Sequence, residues 1–128
     1  MEDWVLYILM RSDLASLNPG KACAQATHAA NQCVAEGTEP QTAHTLEGWS
    51  AGRGFGTCIV LSVGSADSMR AIVGAASAAG YHAGVTHDPE YPLRDGAFTH
   101  LIPLDTCGYV FGPRDALTPF VGHLSLMP

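Results

Sequence analysis

The sequence contains a single lysine, Lys21, and charged residues make up only 14% of its 128 residues. Six basic residues face twelve acidic ones, which gives a formal net charge of −6. A protein that binds nucleic acid through its overall charge would be basic, so that class is excluded and any RNA contact requires a local patch. No apolar run approaches the roughly 18 residues that a membrane span needs, so no membrane association is expected.

Targeting and metal signals are also missing. The first four residues include two acids where a secretion signal carries positive charge, so the expected location is the cytoplasm. The four cysteines contain no C-x2-C pair, and in a reducing compartment we expect small buried side chains and no disulfides. Hydrophobic residues reach 47%, and the length suits one packed domain over residues 1–128.

Strands and helices are predicted to alternate along the chain. Apolar runs predict strands at 4–10, 57–63, 82–87 and 106–111, and helices are predicted at 21–36, 38–47, 65–80 and 114–121. The residues at 88–103 include Pro89, Pro92 and Gly96, which predicts a long polar loop. The alternation predicts an α/β fold with a partly parallel sheet whose strands are covered on both faces.

The strongest local pattern is a polar stripe on the first helix. Lys21, Gln25 and His28 lie at i, i+4 and i+7, in the first turns of a helix that follows a strand end. Sheets of this class commonly bind ligands there, and the free N–H groups of a helix start favour an anion or an oxyanion. A solvated helix face is the alternative interpretation of the same spacing.

A carboxylate follows the third predicted strand. Asp88 there could orient or deprotonate a water molecule near a lysine. An aspartate that caps the turn before Pro89 is the alternative interpretation.

Several motifs together resemble one family. The segment 20–30, G-K-A-C-A-Q-A-T-H-A-A, resembles the helix start of the type 2 peptidyl-tRNA hydrolases. The R-S-D-L segment at 11–14, Trp49 with its following strand, Gly112-Pro113 and Gly122-His123-Leu124 are similar to other family motifs in the same order. The resemblance covers nearly the whole chain.

The resemblance implies a four-stranded mixed β-sheet flanked by helices, and hydrolysis of the ester that joins a peptide to the 3′ end of tRNA. It implies catalytic or substrate-positioning roles for Lys21, Gln25, an aspartate after the third strand and Thr99, with His28 as the motif histidine. Phosphates of the tRNA acceptor end are expected to meet arginines: Arg53, Arg94 and Arg11. The hypothesis uses no metal or other cofactor. The family is often dimeric, so a second copy of the chain is a candidate partner.

Two aspartates compete for the catalytic position, because the segment between the third and fourth predicted strands is longer than in the family. Asp88 keeps the family's distance from Gly80, whereas Asp95 keeps its distance to Thr99. We prefer Asp88, because a strand end is a firmer platform than a loop. The family's second threonine falls between Thr106 and Cys107 and stays unassigned.

Three alternatives remain open at this point. A family member could keep the fold, bind another ligand or protein, and have no catalytic activity. A thiol hydrolase could use Cys23 with His28 and Asp88, although Cys23 is expected to face the sheet. A zinc site could use three histidines near the third strand: His82, His87 and His100.

Overall fold

A computed structural model describes residues 3–128 and shows a mixed sheet of four strands in the order β2-β1-β4-β3. β1 (Trp4–Arg11) pairs in parallel with β2 (Cys58–Val63) and antiparallel with β4 (Phe98–Pro113). β3 (His82–Asp95) pairs antiparallel with β4 and forms one edge of the sheet. The predicted fold class is confirmed.

Helices cover both faces of this sheet, which explains the almost uninterrupted apolar run in β1. The even-numbered residues of β1 from Leu6 to Met10 share a core with α1 (Pro19–Glu36) and α2 (Pro40–Ser50). The odd-numbered residues share a second core with α3 (Ala66–Ala78) and α4 (Arg114–Val121). Within residues 3–128, no helix is both long enough and apolar enough to cross a membrane.

The start of α1 is determined by local sequence. The side chain of Asn18 accepts a hydrogen bond from the backbone N–H of Lys21 at 2.9 Å. Pro19 occupies the first turn, where its missing N–H leaves no helical hydrogen bond unmade. These two residues place Lys21 in the first turn of the helix, just after the end of β1 and its connecting segment.

The predicted loop at 88–103 is wrong. β3 continues to Asp95 and β4 begins at Phe98, so the segment is a β-hairpin that turns tightly at Gly96. β1 pairs with β4 only from Cys107 onward, and the hairpin therefore extends beyond the end of β1. We call residues 88–105 the arm. Asp88 consequently lies inside β3, which corrects the expectation that it follows the end of this strand.

The prolines that suggested a loop lie where a strand tolerates them. β3 is an edge strand, and its pairing with β4 shifts in register between Asp88 and Tyr91, the interval that contains Pro89. Pro92 lies on the same edge strand, and Pro103 lies on β4 where β1 has already ended. Proline lacks the N–H of a sheet ladder and is restricted to such edges and bulges.

Candidate active site

Three polar side chains of α1 face β3 and not bulk solvent. Lys21 donates from Nζ to the backbone carbonyl of Pro92 at 2.7 Å, and Gln25 donates from Nε2 to Asp88 Oδ2 at 2.7 Å. Farther along the helix, Gln32 donates to another β3 carbonyl at 2.9 Å. The helix and the edge strand are therefore joined by a row of polar contacts, and the interpretation as a solvated face does not hold for these three residues.

Gln25 is the centre of this arrangement. Its side-chain carbonyl accepts a hydrogen bond from Thr106 Oγ1 at 2.6 Å, while its amide nitrogen donates to Asp88. An ionised carboxylate can only accept, so the orientation of the amide is determined by its partners. Gln25 is 3% exposed and Thr106 is fully buried, which shields the contacts from water. The side chain thus links α1, β3 and β4.

Asp88 is held through both carboxylate oxygens. Oδ2 accepts from Gln25, and Oδ1 accepts from the backbone N–H of Glu90 at 2.9 Å, just before the register shift in β3. The turn-capping interpretation and the functional one are thus compatible, because different oxygens serve them. Each oxygen has a second lone pair, so the half-buried carboxylate can still accept from a water molecule.

The competing aspartate lies elsewhere. Asp95 is exposed next to the turn of the arm, and its Oδ2 lies 4.0 Å from His100 Nε2. It makes no hydrogen bond to α1 among the described residues. The structure brings Asp88, and not Asp95, into contact with the polar stripe.

The ammonium of Lys21 is half-buried between α1 and the arm. Besides its hydrogen bond to Pro92, Nζ lies over the ring of Tyr91, 5.1 Å from the ring centroid. Within residues 3–128, Lys21 and Asp88 form no direct ion pair. Lys21 thus contacts β3 at Tyr91 and Pro92, three and four residues after Asp88 on the same strand.

Other predicted site residues are not brought into this cluster. Thr99 and Arg94 are exposed cross-strand partners near the end of the arm. Arg53 lines a cavity of about 500 Å³ with Trp4, at the opposite end of β1 from Lys21. The two ends of β1 are about 23 Å apart, the length of seven residue steps along a strand. His28 lies on α1 but is exposed, and it makes no hydrogen bond within the described part of the chain.

Most of the arginines are already paired. Three form ion pairs with aspartates: Arg11 with Asp13, Arg70 with Asp105, and Arg114 with Asp3. The hydrogen bond from Arg70, assisted by His87, holds the pKa of Asp105 below its usual range. Among residues 3–128, only Arg53 and Arg94 lack such a partner, so few cations near the site are free to meet phosphates.

The structure does not place Cys23 where the thiol alternative requires it. Cys23 is exposed, which corrects the expectation that it faces the sheet, and it lines a shallow apolar cavity with Val60 and Met127 on a different face from Lys21. The nearest cysteine to Gln25 is Cys107, whose thiol donates to the Gln25 backbone carbonyl at 3.5 Å. Burial raises the pKa of Cys107, which makes it a poor nucleophile.

The zinc alternative is also without support, because the three histidines have separate partners. His82 contacts the Cys33 carbonyl, His87 contacts Asp105, and His100 lies near the exposed Asp95. Across residues 3–128, no three metal-ligating side chains come together.

Sequence reasoning missed two contributors to the site. The sequence does not distinguish Thr106 from Cys107 as the second threonine position, and only the structure shows the Thr106 hydroxyl on Gln25. Tyr91 lies within the predicted loop, although a bulky aromatic residue between two prolines is a poor loop residue and could have suggested a buried position.

Comparison with known proteins identifies the family of the chain. Among curated proteins, none matches the chain. The family model described as Peptidyl-tRNA hydrolase PTH2 matches residues 4–127, which span every strand and helix above. The resemblance seen in the motifs is confirmed, and the chain belongs to the peptidyl-tRNA hydrolase PTH2 family.

Proposed function

We propose that the protein hydrolyses the ester bond between the peptide and the 3′ end of peptidyl-tRNA, with Lys21, Gln25 and Asp88 as its catalytic centre. The observation that carries this proposal is the buried Gln25 amide, which holds Asp88 on one side and Thr106 on the other. A carboxylate held in this way, on the strand that also receives the only lysine, suits the activation of water.

In this mechanism Asp88 accepts a proton from a water molecule as the water oxygen attacks the ester carbonyl carbon. The negative charge that develops on the carbonyl oxygen is stabilised by the ammonium of Lys21. When the tetrahedral intermediate collapses, the bond between the acyl carbon and the ribose oxygen breaks, and the ribose oxygen takes up a proton. Gln25 keeps Asp88 oriented throughout, and every step uses groups of this chain and water alone.

The test is the release of a labelled N-acetylated amino acid from tRNA. Lys21→Ala removes the positive charge, and Asp88→Asn keeps the shape of the side chain but removes its basicity. Loss of a preorganised stabilising group typically lowers turnover by about 10² to 10³, and we expect a decrease of that order for each variant. Asp95→Asn is the matched control and should hydrolyse the substrate at the wild-type rate.

Two results would contradict the assignment. Folded Lys21→Ala and Asp88→Asn variants with undiminished hydrolysis would remove both groups from the reaction. A loss confined to Asp95→Asn would move the chemistry to the end of the arm. Circular dichroism of each variant separates these results from a loss of fold.

A second candidate is a family member that binds another ligand in the same place without catalysis. The net charge of −6 favours this second candidate, since it repels the phosphates of RNA. In addition, three of the five arginines already form ion pairs with aspartates. Filter binding of aminoacylated tRNA against salt distinguishes the two candidates. For the hydrolase we expect binding with a shallow salt slope, equivalent to roughly two to four released counterions. Absence of binding at low salt together with absence of hydrolysis would favour the second candidate.

A further inference from the structure

We propose that Tyr91, with the adjacent Pro92 carbonyl, is a positioning residue for the reaction, because these two groups of the arm fix the position of the Lys21 ammonium on the strand that carries Asp88. This inference rests on the proposed function and adds to it a residue that lies outside the motifs of the sequence. The arm thereby contributes to the catalytic centre and is more than a spacer between two strands.

Two contacts from the arm converge on one nitrogen atom. The Pro92 carbonyl accepts from Lys21 Nζ at 2.7 Å, and the ring of Tyr91 lies below the same nitrogen, with 5.1 Å between Nζ and the ring centroid. A carbonyl dipole and the negative face of an aromatic ring both attract a cation. Free in solution, a lysine side chain samples many rotamers, so these contacts select one position for its charge.

The ring itself is fixed. Tyr91 is fully buried, and its hydroxyl is hydrogen-bonded to Ser16 Oγ at 2.9 Å. Ser16 belongs to the segment that leads from β1 into α1, so this bond ties the arm to the start of the helix that carries Lys21. Tyr91 belongs to neither of the two hydrophobic cores of the domain.

The register shift in β3 explains how one strand serves both groups. Between Asp88 and Tyr91 the pairing with β4 is interrupted, so these two residues do not follow the regular alternation of a strand. Asp88 meets Gln25 on the helix, and Tyr91, three residues later, meets the lysine one turn closer to the helix start. The register shift therefore sets the spacing along β3 between Asp88 and the Tyr91 ring.

The single lysine allows a direct structural test. Protein labelled with ¹³C-lysine gives one lysine side-chain spin system, because the chain has no other lysine. A methylene group above an aromatic ring is shifted upfield, so we expect the ε-methylene signal of the folded wild type upfield of its position in urea. The shift should persist in Tyr91→Phe, which keeps the ring, and disappear in Tyr91→Leu. A folded wild type without any shift would overturn the proposal.

Kinetics then test whether the position matters. Loss of a cation–ring contact in a partly buried site should lower kcat by about tenfold in Tyr91→Leu while KM changes less than about twofold. Tyr91→Phe and Ser16→Ala remove the same hydrogen bond from its two ends and keep the ring, so both should remain within about threefold of wild type. An unchanged kcat in Tyr91→Leu would overturn the proposal.

A double-mutant cycle separates positioning from a general structural role. If Tyr91 acts through Lys21, Tyr91→Leu should cause no further loss when it is added to Lys21→Met. Equal losses in both backgrounds would show a structural effect and overturn the inference. Full activity of Lys21→Met would overturn the proposed function and this inference with it, whereas an impaired Lys21→Met beside a fully active Tyr91→Leu would overturn the inference alone.

Discussion

Replacing Thr106 by valine removes one hydroxyl from a buried site with almost no change in shape. In the wild type, this hydroxyl donates to Gln25 Oε1 at 2.6 Å, and the Gln25 side chain has no access to solvent that could replace the bond. Leaving a buried acceptor without its donor costs about 1–3 kcal/mol. We therefore expect Thr106→Val to lower the free energy of unfolding by that amount, and to lower kcat about tenfold because the amide that orients Asp88 is released.

The chain offers a matched control on the neighbouring strand. Thr86 is paired with Cys107 in the sheet and is 3% exposed, but within residues 3–128 its hydroxyl has no hydrogen-bond partner, and only the weakly bonding Cys107 thiol is nearby. Thr86→Val removes a hydroxyl that is already unsatisfied, so its unfolding free energy should stay the same or rise. Urea denaturation of the three proteins, followed by circular dichroism, measures both changes. Equal destabilisation by the two substitutions would refute the reasoning.

Two further predictions concern the surroundings of the site and the base of β2. The pKa of Asp105 is lowered in the folded state by its hydrogen bond with Arg70, so this contribution to stability is present above the ordinary value of 3.8 and is lost as the pH falls through the lower folded value. Arg70→Met should flatten the fall of the unfolding free energy as the pH decreases below about 4 in urea titrations, and identical profiles would contradict this. Gly56 has φ +97° and an added Cβ would overlap the Trp49 indole, whereas Gly54 has φ +70° with open space around it. Thermal unfolding should show Gly56→Ala to be less stable than Gly54→Ala by about 2 kcal/mol, and equal stabilities would contradict the clash.

The most predictable element of the fold is β1, because it is buried on both faces. β1 is apolar at every position from Val5 to Met10 because helices cover both of its faces, and an uninterrupted apolar run of this length is typical of such a strand. The alanine-rich first helix was also predictable, although the sequence predicts its start at Lys21 and the structure begins it at Pro19, with Asn18 as the N-cap. These features depend on neighbouring residues in the chain.

The arm was not predictable by the same reasoning. Its prolines indicate a loop unless the position of each strand in the sheet is known, and only the sheet order makes β3 an edge and Pro103 free of a partner. The exposed face of the arm also lacks the alternation that identifies a half-buried strand. Edge prolines and bulges are features of tertiary structure, and they cannot be seen in a single sequence.

The site shows the same division. The spacing of Lys21 and Gln25 predicts a common helix face, but not whether this face meets solvent or β3. The choice of Asp88 over Asp95 followed from an expected strand end that does not exist, and the structure supports Asp88 for a different reason, its contact with Gln25. Arg53 was grouped with the site from its charge alone, while the parallel pairing of β2 with β1 places it at the far end of the sheet.

The order of the strands has a consequence for when the candidate site assembles during folding. β3 has β4 as its only strand neighbour, and β4, the last strand to be synthesised, inserts between β3 and β1. Until β4 has formed, Asp88 has no fixed position relative to α1, and Gln25 lacks its threonine donor. A chain that ends before residue 106 would thus have the helix with its lysine but no organised centre. Non-local pairing of this kind makes assembly of the sheet a late event in folding, and the proposed centre is complete only when the final strand is in place.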